Sequence, residues 1–208
     1  MLLIVTRFSA AGLLVLAAGA SASAGAGPSP VGAPQAAAQR MSQAGKEEAE
    51  LQEQAGDWNV VASLWPSPNA QPIVTRGLVA HRTMIGPFLH EVMQPEPGSP
   101  GPDFRRLDYL NFDRVEGRWK YVSMDTRFPV SIMPAWSFGP AHTSEITLQF
   151  EPQAFVGFGP QVEGRFMVSS LTISQPGPGR MLKEQRVAMA DGTGRSWVLA
   201  RYEYNRRR

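Results

Sequence analysis

The alternation of apolar and polar residues predicts that this chain folds almost entirely into β-strands. Apolar side chains recur at every second position from Trp58 onwards, through Val60, Ala62 and Leu64. A period of two places alternate side chains on one face of a strand. Nine further segments are also candidate strands: 73–84, 88–94, 104–112, 119–126, 131–138, 145–150, 162–174, 181–190 and 196–204.

Turn residues separate these ten segments, and the strongest hairpin signal is the Asp-Gly-Thr-Gly run at 191–194. No interior segment keeps a period of 3.6 residues, which argues against a parallel sheet with crossover helices. Short strands joined by tight turns predict an all-β fold, an antiparallel meander closed into a barrel of about ten strands, because closure leaves no edge strand exposed. A two-sheet sandwich is the alternative.

The N-terminal region predicts export. Arg7 precedes an apolar stretch over 8–20, and small residues follow up to Ala24, as in a secretory signal peptide over 1–24. The stretch is shorter than the about 20 residues of a membrane-spanning helix. We therefore expect a periplasmic or secreted protein without stable membrane insertion after cleavage. The alternative is an anchor that is never cut.

Two short regions precede the strands. Residues 25–45 consist mainly of Gly, Ala, Pro and Gln with the single charge of Arg40, a composition typical of a disordered linker. Residues 46–54 are rich in Glu, Gln and Ala and predict one short helix, starting towards Ser42 and capped by Gly56. The barrel domain is expected to cover 46–206.

Composition narrows the function classes. Of the 208 residues 43% are hydrophobic and 18% charged, which excludes wholesale disorder. The chain has no cysteine, and its three histidines are far apart, so we expect no metal and no cofactor. The net charge is only +2 and the basic residues are scattered, so no nucleic-acid partner is expected. Common hydrolase, zinc-protease and phosphate-loop motifs are absent, which disfavours an enzyme.

A family resemblance begins at Gly56-x-Trp58, where a short helix leads into the first strand, as in lipocalin-type (calycin) barrels. Further motifs are Trp65-x-Pro, Leu110-x-Phe112-Asp113, Gly117-x-Trp119-x-Tyr121 and Tyr204-x-Arg206. Together, over 51–206, they resemble a bacterial family of secreted proteins of unknown function with a lipocalin-like barrel. That family usually has Gly where Asn111 stands. The resemblance implies that Trp58 closes the bottom of the barrel and that Arg206, or else Arg201, packs on it.

Strand parity predicts which charged side chains enter the barrel. Placing Trp119 and Tyr121 inside carries Asp125 inside as well. The segment 104–112 puts Arg106 and Asp108 on the face of its apolar residues, and Arg186 lies on the Glu184/Ala188 face of its strand. Charges in an apolar interior are costly unless paired. These groups therefore form either an ion-pair network that plugs the barrel or an anchor for the polar or anionic head of a ligand.

Three functions remain open. The leading hypothesis is a barrel that binds a small, partly apolar or amphipathic ligand beside Arg106, Asp108, Trp119, Tyr121, Asp125 and Arg186. The second is a filled barrel that acts as an oligomerisation or protein-interaction module. The third is a hydrolase-like enzyme that uses the internal Asp/Arg cluster. A cavity of roughly several hundred Å³ favours a carrier, and a packed interior with an exposed apolar face favours the second hypothesis.

Overall fold

The structure is a computed structural model that describes residue 39 and residues 41–128, 132–138, 145–155 and 162–208. The predicted signal peptide and residues 25–38 and 40 of the predicted linker lie outside the described residues. Within the described part of the chain, no helix is long and apolar enough to cross a membrane.

The helix α1 (Lys46–Glu53) lies directly before the first strand. It starts after Gly45, whose backbone is extended, and ends at Gln54, so it is shorter at its start than the sequence suggested. Glu47 and Glu48 occupy its first turn, where negative charge interacts favourably with the helix dipole. Leu51 is buried in the main apolar core, so the helix covers one end of the barrel.

Eleven strands follow in the described part of the chain, and each of the ten predicted segments overlaps one of them, with ends that differ by up to four residues. The additional strand is the two-residue β8, which the sequence did not predict. The strands are β1 (Gly56–Leu64), β2 (Ile73–Ile85), β3 (Phe88–Pro95), β4 (Arg106–Asp113), β5 (Arg118–Asp125), β6 (Met133–Ser137), β7 (Glu145–Phe150), β8 (Gln153–Ala154), β9 (Phe166–Gly177), β10 (Arg180–Met189) and β11 (Ser196–Arg206).

Ten of these strands form a closed antiparallel barrel, which confirms the predicted fold class. Strands β1 to β7 pair in order, then β7 pairs with β9, β9 with β10, β10 with β11, and β11 with β1. Strand β8 pairs with β9 alone, opposite Met167 and Phe166. The ring of pairings leaves the ten barrel strands without an exposed edge.

Side chains alternate between the interior and the outer surface, as the period of two requires. On β1 the buried side chains are Trp58, Val60 and Ala62, and on β5 they are Trp119 and Tyr121 together with the polar residues that follow them. A main apolar core fills the barrel from the helix end upwards. A second cluster, which includes Phe155, lies where β9, β10 and β11 meet the opposite end.

Arg206 closes the end of the barrel that α1 covers. Its guanidinium carbon lies 4.6 Å from the centre of the Trp58 ring, a cation–π distance. Nη1 donates a hydrogen bond to the Ala55 carbonyl at 2.8 Å, and Nη2 donates to the Glu53 carbonyl. The side chain therefore joins the last strand to the end of α1.

Two further residues complete this closure. The ring of Tyr204 meets Trp58 edge to face, with the ring centres 6.4 Å apart. Gly56 has a φ of 127°, and a Cβ atom there would lie 3.0 Å from Nη1 of Arg206. Arg201, the other candidate for this position, instead pairs with Glu184, to which it donates from Nη2 at 2.6 Å.

Candidate functional site

Charged side chains from five strands meet inside the barrel. Six are buried among the described residues: Arg82 on β2, Glu91 on β3, Arg106 and Asp108 on β4, Asp125 on β5 and Lys183 on β10. Each points inward because it shares the parity of the apolar residues on its strand. A buried charge is tolerated only when it is paired and hydrogen-bonded.

Lys183 is the centre of this ion-pair network. Its Nζ lies 2.9 Å from both carboxylate oxygens of Glu91 and 2.9 Å from Oδ2 of Asp108. Glu91 also pairs with Nε of Arg82 at 3.0 Å and accepts a hydrogen bond from the Tyr204 hydroxyl at 2.8 Å. The three N–H donors of the Lys183 ammonium group are all used by its contacts with Glu91 and Asp108.

Arg106 connects the network to the other side of the barrel. Its Nε donates to Oδ1 of Asp108 at 3.1 Å, Nη1 to the Tyr202 hydroxyl at 2.7 Å and Nη2 to the Tyr121 hydroxyl at 3.2 Å. Asp108 also accepts from the Ser123 hydroxyl at 2.7 Å. A guanidinium has five N–H donors, so two on Arg106 have no partner among the described residues.

The environment fixes the protonation states of this group. Burial by itself raises the pKa of Asp108, but Arg106 and Lys183 outweigh burial and hold that pKa well below its ordinary value. Burial raises the pKa of Tyr121 and of Tyr204 well above the ordinary range. Asp108 is therefore an anion and both tyrosines are neutral near pH 7, which leaves none of the three ready to exchange a proton there.

Asp125 lies at the edge of the network and has its own partner. Arg127 binds it through both ends, Nε to Oδ1 at 2.9 Å and Nη2 to Oδ2 at 2.6 Å. Since this pair is neutral, three cations (Arg82, Arg106 and Lys183) face only two carboxylates (Glu91 and Asp108). The network carries one more positive than negative charge.

The structure brings most of the predicted site residues together, but Arg186 lies elsewhere. Its side chain is 54% exposed on the outer surface and pairs with Glu184 at 3.3 Å. The inner face of β10 instead carries Lys183 and Gln185 between apolar residues. Expecting Arg186 inside was therefore wrong, because side chains of opposite parity on β10 face opposite sides of the wall.

Trp119 and Tyr121 both point inward, at different heights in the barrel. Trp119 is buried against Phe112, with 5.3 Å between the ring centres, in the main core. Tyr121 contacts Arg106 and meets Phe150 edge to face at 5.9 Å. Trp119 is not among the side chains that line the cavity above the network.

A pocket of about 50 Å³ lies above the network, towards the end of the barrel opposite α1. Its apolar walls include Phe128, Met133, Phe150, Phe155 and Leu199, and its polar lining includes Arg106, Asp125, Gln185 and Tyr202. The pocket is much smaller than the about 300–1,000 Å³ typical of sites that enclose a drug-sized ligand. A water needs about 10–15 Å³ in such a volume, so the pocket accommodates only a few non-hydrogen atoms.

Gln185 is the functional candidate that sequence reasoning missed. It is buried on the inner face of β10 and lines the pocket. Its carboxamide makes no hydrogen bond to another described side chain or backbone group, and its polar atoms remain accessible at the pocket rather than sealed in the core. The sequence signal for its inward position was its spacing: it lies two residues from both Lys183 and Val187, so all three share one face of β10.

The histidines do not contribute to this site where the structure describes them. His81 and His90 lie on the outer faces of β2 and β3, where His90 stacks on Tyr109. His142 lies outside the described residues. No three His, Asp or Glu side chains in the described ranges are grouped so that they could hold a metal ion.

Comparisons with known proteins identify the fold and no more. No protein-family model and no curated protein matches this chain. Among solved structures, the chain is similar to Rv2717c from M. tuberculosis, with a TM-score of 0.50 and 14% sequence identity. The match covers 80% of this chain and 100% of that one. At this identity the similarity concerns the barrel architecture, and function does not follow from it.

Proposed function

We propose that this protein binds a small, partly apolar molecule in the pocket at the end of the barrel opposite α1. One observation carries the proposal: apolar walls adjoin polar groups that line the pocket and whose hydrogen-bonding capacity is not fully used. Arg106 and Gln185 both have free N–H donors beside the pocket. Binding sites for small molecules combine such walls with a few polar groups that fix orientation.

The pocket volume limits how the ligand binds. About 50 Å³ encloses a polar group and a few further atoms, so a larger molecule would be held by one end. The remainder would extend past Phe128 and Phe155, away from the network. Below the pocket the ion-pair network and the main core fill the barrel, so the network forms the floor of the site.

A hydrolase-like reaction has less support than binding. Asp108 is paired with Arg106 and Lys183, and Asp125 is paired with Arg127. Arg106 and Lys183 hold the pKa of Asp108 well below its ordinary value, which makes Asp108 a poor general base near neutral pH. Both oxygens of Asp125 are occupied by the Arg127 guanidinium.

The proposed setting is an exported, lipocalin-like barrel. The signal-like segment at 1–24 supports export, and the packing of Arg206 on Trp58 supports the lipocalin-like closure. Expression of the full chain in a bacterium, followed by intact-mass analysis of the periplasmic fraction, tests export. A product shortened at 20–24 is expected, and an uncut product confined to the cytoplasm contradicts export.

Saturation-transfer NMR with four small probes tests binding: benzoate, benzamide, hexanoate and hexanamide. At least one probe is expected to receive saturation from the wild-type protein. The Ala154→Trp variant fills the pocket and should lose the signal, because Ala154 lines it. The matched control is Ala188→Trp on the outer face of β10, which should keep the signal.

If none of the four probes receives saturation from the folded wild-type protein, the proposal is overturned. A signal that survives Ala154→Trp but disappears in Ala188→Trp places binding on the outer surface and overturns the pocket as the site. Circular dichroism is the folding control: the binding result of a variant is used only if that variant has the β-sheet spectrum of the wild-type protein.

A further inference from the structure

The floor of the pocket carries an excess of positive charge, and this excess indicates the chemical class of the ligand. We infer that the ligand is a small organic monoanion whose carboxylate is held by Arg106, Gln185 and Tyr202. This inference rests on the proposed binding function and specifies its ligand.

The charges of the network are the first step. Arg82, Arg106 and Lys183 are opposed by Glu91 and Asp108 alone, because Arg127 already neutralises Asp125. An uncompensated charge in a protein interior is unfavourable. A bound monoanion would balance the network, and Arg106 is the one cation of the three that lines the pocket.

The unused hydrogen-bonding groups are the second step. Arg106 has two free N–H donors, and the Gln185 amide has two more. The Tyr202 hydroxyl accepts from Arg106, which leaves its own proton to donate. Both oxygens of Asp108 are already occupied, and Arg127 occupies both oxygens of Asp125, which also lines the pocket. Apart from the Gln185 carbonyl, the polar groups at the pocket therefore offer mainly donors, which suits a ligand whose polar group only accepts.

The form of the anion is the third step. A planar carboxylate matches the planar guanidinium and presents two oxygens to several donors. Its single charge equals the excess of the network, whereas a phosphate dianion would exceed it. Apolar walls at Phe150 and Leu199 fit a hydrocarbon group attached to the carboxylate.

Benzoate and benzamide provide the test, because they have nearly the same shape and differ in charge. NMR titration of the wild-type protein is expected to give a dissociation constant about ten-fold or more lower for benzoate. The Gln185→Met variant keeps the size of the side chain and removes its amide. It should weaken benzoate about three-fold or more, with benzamide weakened less.

Arg186→Met is the matched control on the adjacent residue. It removes a positive charge from the outer surface and leaves the pocket unchanged, so benzoate affinity should stay within about two-fold of wild type. A loss there as large as in Gln185→Met would mean that general surface charge attracts benzoate, and would overturn the inference.

The two proposals fail in different ways. Equal affinity for benzoate and benzamide on the wild-type protein overturns the carboxylate inference and leaves the binding function standing. Silence of benzoate, benzamide, hexanoate and hexanamide overturns the binding function and this inference with it.

Discussion

The charge excess inside the barrel makes an unusual prediction about stability: removing the central lysine should cost less than removing one of its carboxylate partners. Lys183→Met deletes one cation and leaves Arg82 with Glu91 and Arg106 with Asp108. Each carboxylate also keeps a hydroxyl donor, Tyr204 for Glu91 and Ser123 for Asp108. The Met side chain replaces most of the lysine stem, so packing changes little.

Asp108→Asn increases the excess positive charge of the network, because it leaves three cations facing Glu91 alone. Lys183 and Arg106 each lose a charged partner in a buried site. We expect Lys183→Met to lower the free energy of unfolding by about 1–2 kcal/mol, the cost of lost charge-assisted hydrogen bonds. Asp108→Asn should lower it by about 3–5 kcal/mol, the cost of an uncompensated buried charge.

Urea unfolding followed by tryptophan fluorescence measures both values, since Trp58 and Trp119 are buried. With a typical slope of about 1–3 kcal/mol per M, the two midpoints should differ by roughly 1 M. Arg201→Met, which breaks an outer-surface pair with Glu184, is the control and should change stability by less than about 1 kcal/mol. If Lys183→Met is as destabilising as Asp108→Asn, the reasoning from charge balance is refuted.

Three further predictions follow from the same contacts. Because the pKa of Asp108 is lowered on folding, its carboxylate contributes stability above its unfolded pKa of about 3.9, and this contribution is lost as pH falls below that value. Urea unfolding at pH 5 and pH 2.5 should show that the free energy of unfolding falls less with acid in Asp108→Asn than in the wild-type protein. An equal decrease in both proteins would contradict this. Gly56→Ala should destabilise by about 1–3 kcal/mol, since φ is 127° and the new Cβ meets Arg206. Gly86→Ala, at φ 57° in open space, should cost less, and thermal melts that rank the two in reverse would refute the contact argument. Arg186→Ala should leave the melting temperature within about 2 °C, because surface substitutions change stability little, and a larger drop would contradict the outer position of the side chain.

The sequence predicted the barrel well because burial on one face imposes a clear period of two. The alternation on β1, β4 and β5 located Trp58, Arg106, Asp108 and Asp125 on the inner face, where the structure has them. Strand β8 was missed because two residues are too few to show a period. The end of α1 was predicted to within one residue, but the cap is Gln54 and not Gly56, because Gly56 begins β1.

The site was harder to predict because β10 carries charged or polar residues on both faces. Lys183 and Gln185 alternate with Glu184 and Arg186, so polarity alone did not show which pair faces inward. The pairing of Lys183 with Glu91 joins strands on opposite sides of the barrel, and that contact depends on side-chain reach across the interior. Export, ligand binding and the alternative role in oligomerisation stay predictions.

The pairing of β1 with β11 also has a consequence for how the chain folds. Arg207 contacts Asn59 across 148 positions of sequence, next to the packing of Arg206 on Trp58. Until the last strand has been synthesised, β1 keeps one unpaired edge and the barrel stays open. Contacts of this range slow folding, and an open edge exposes the chain to aggregation meanwhile. Arg206, which ends the last strand, and Arg207 directly after it therefore take part in sealing the barrel.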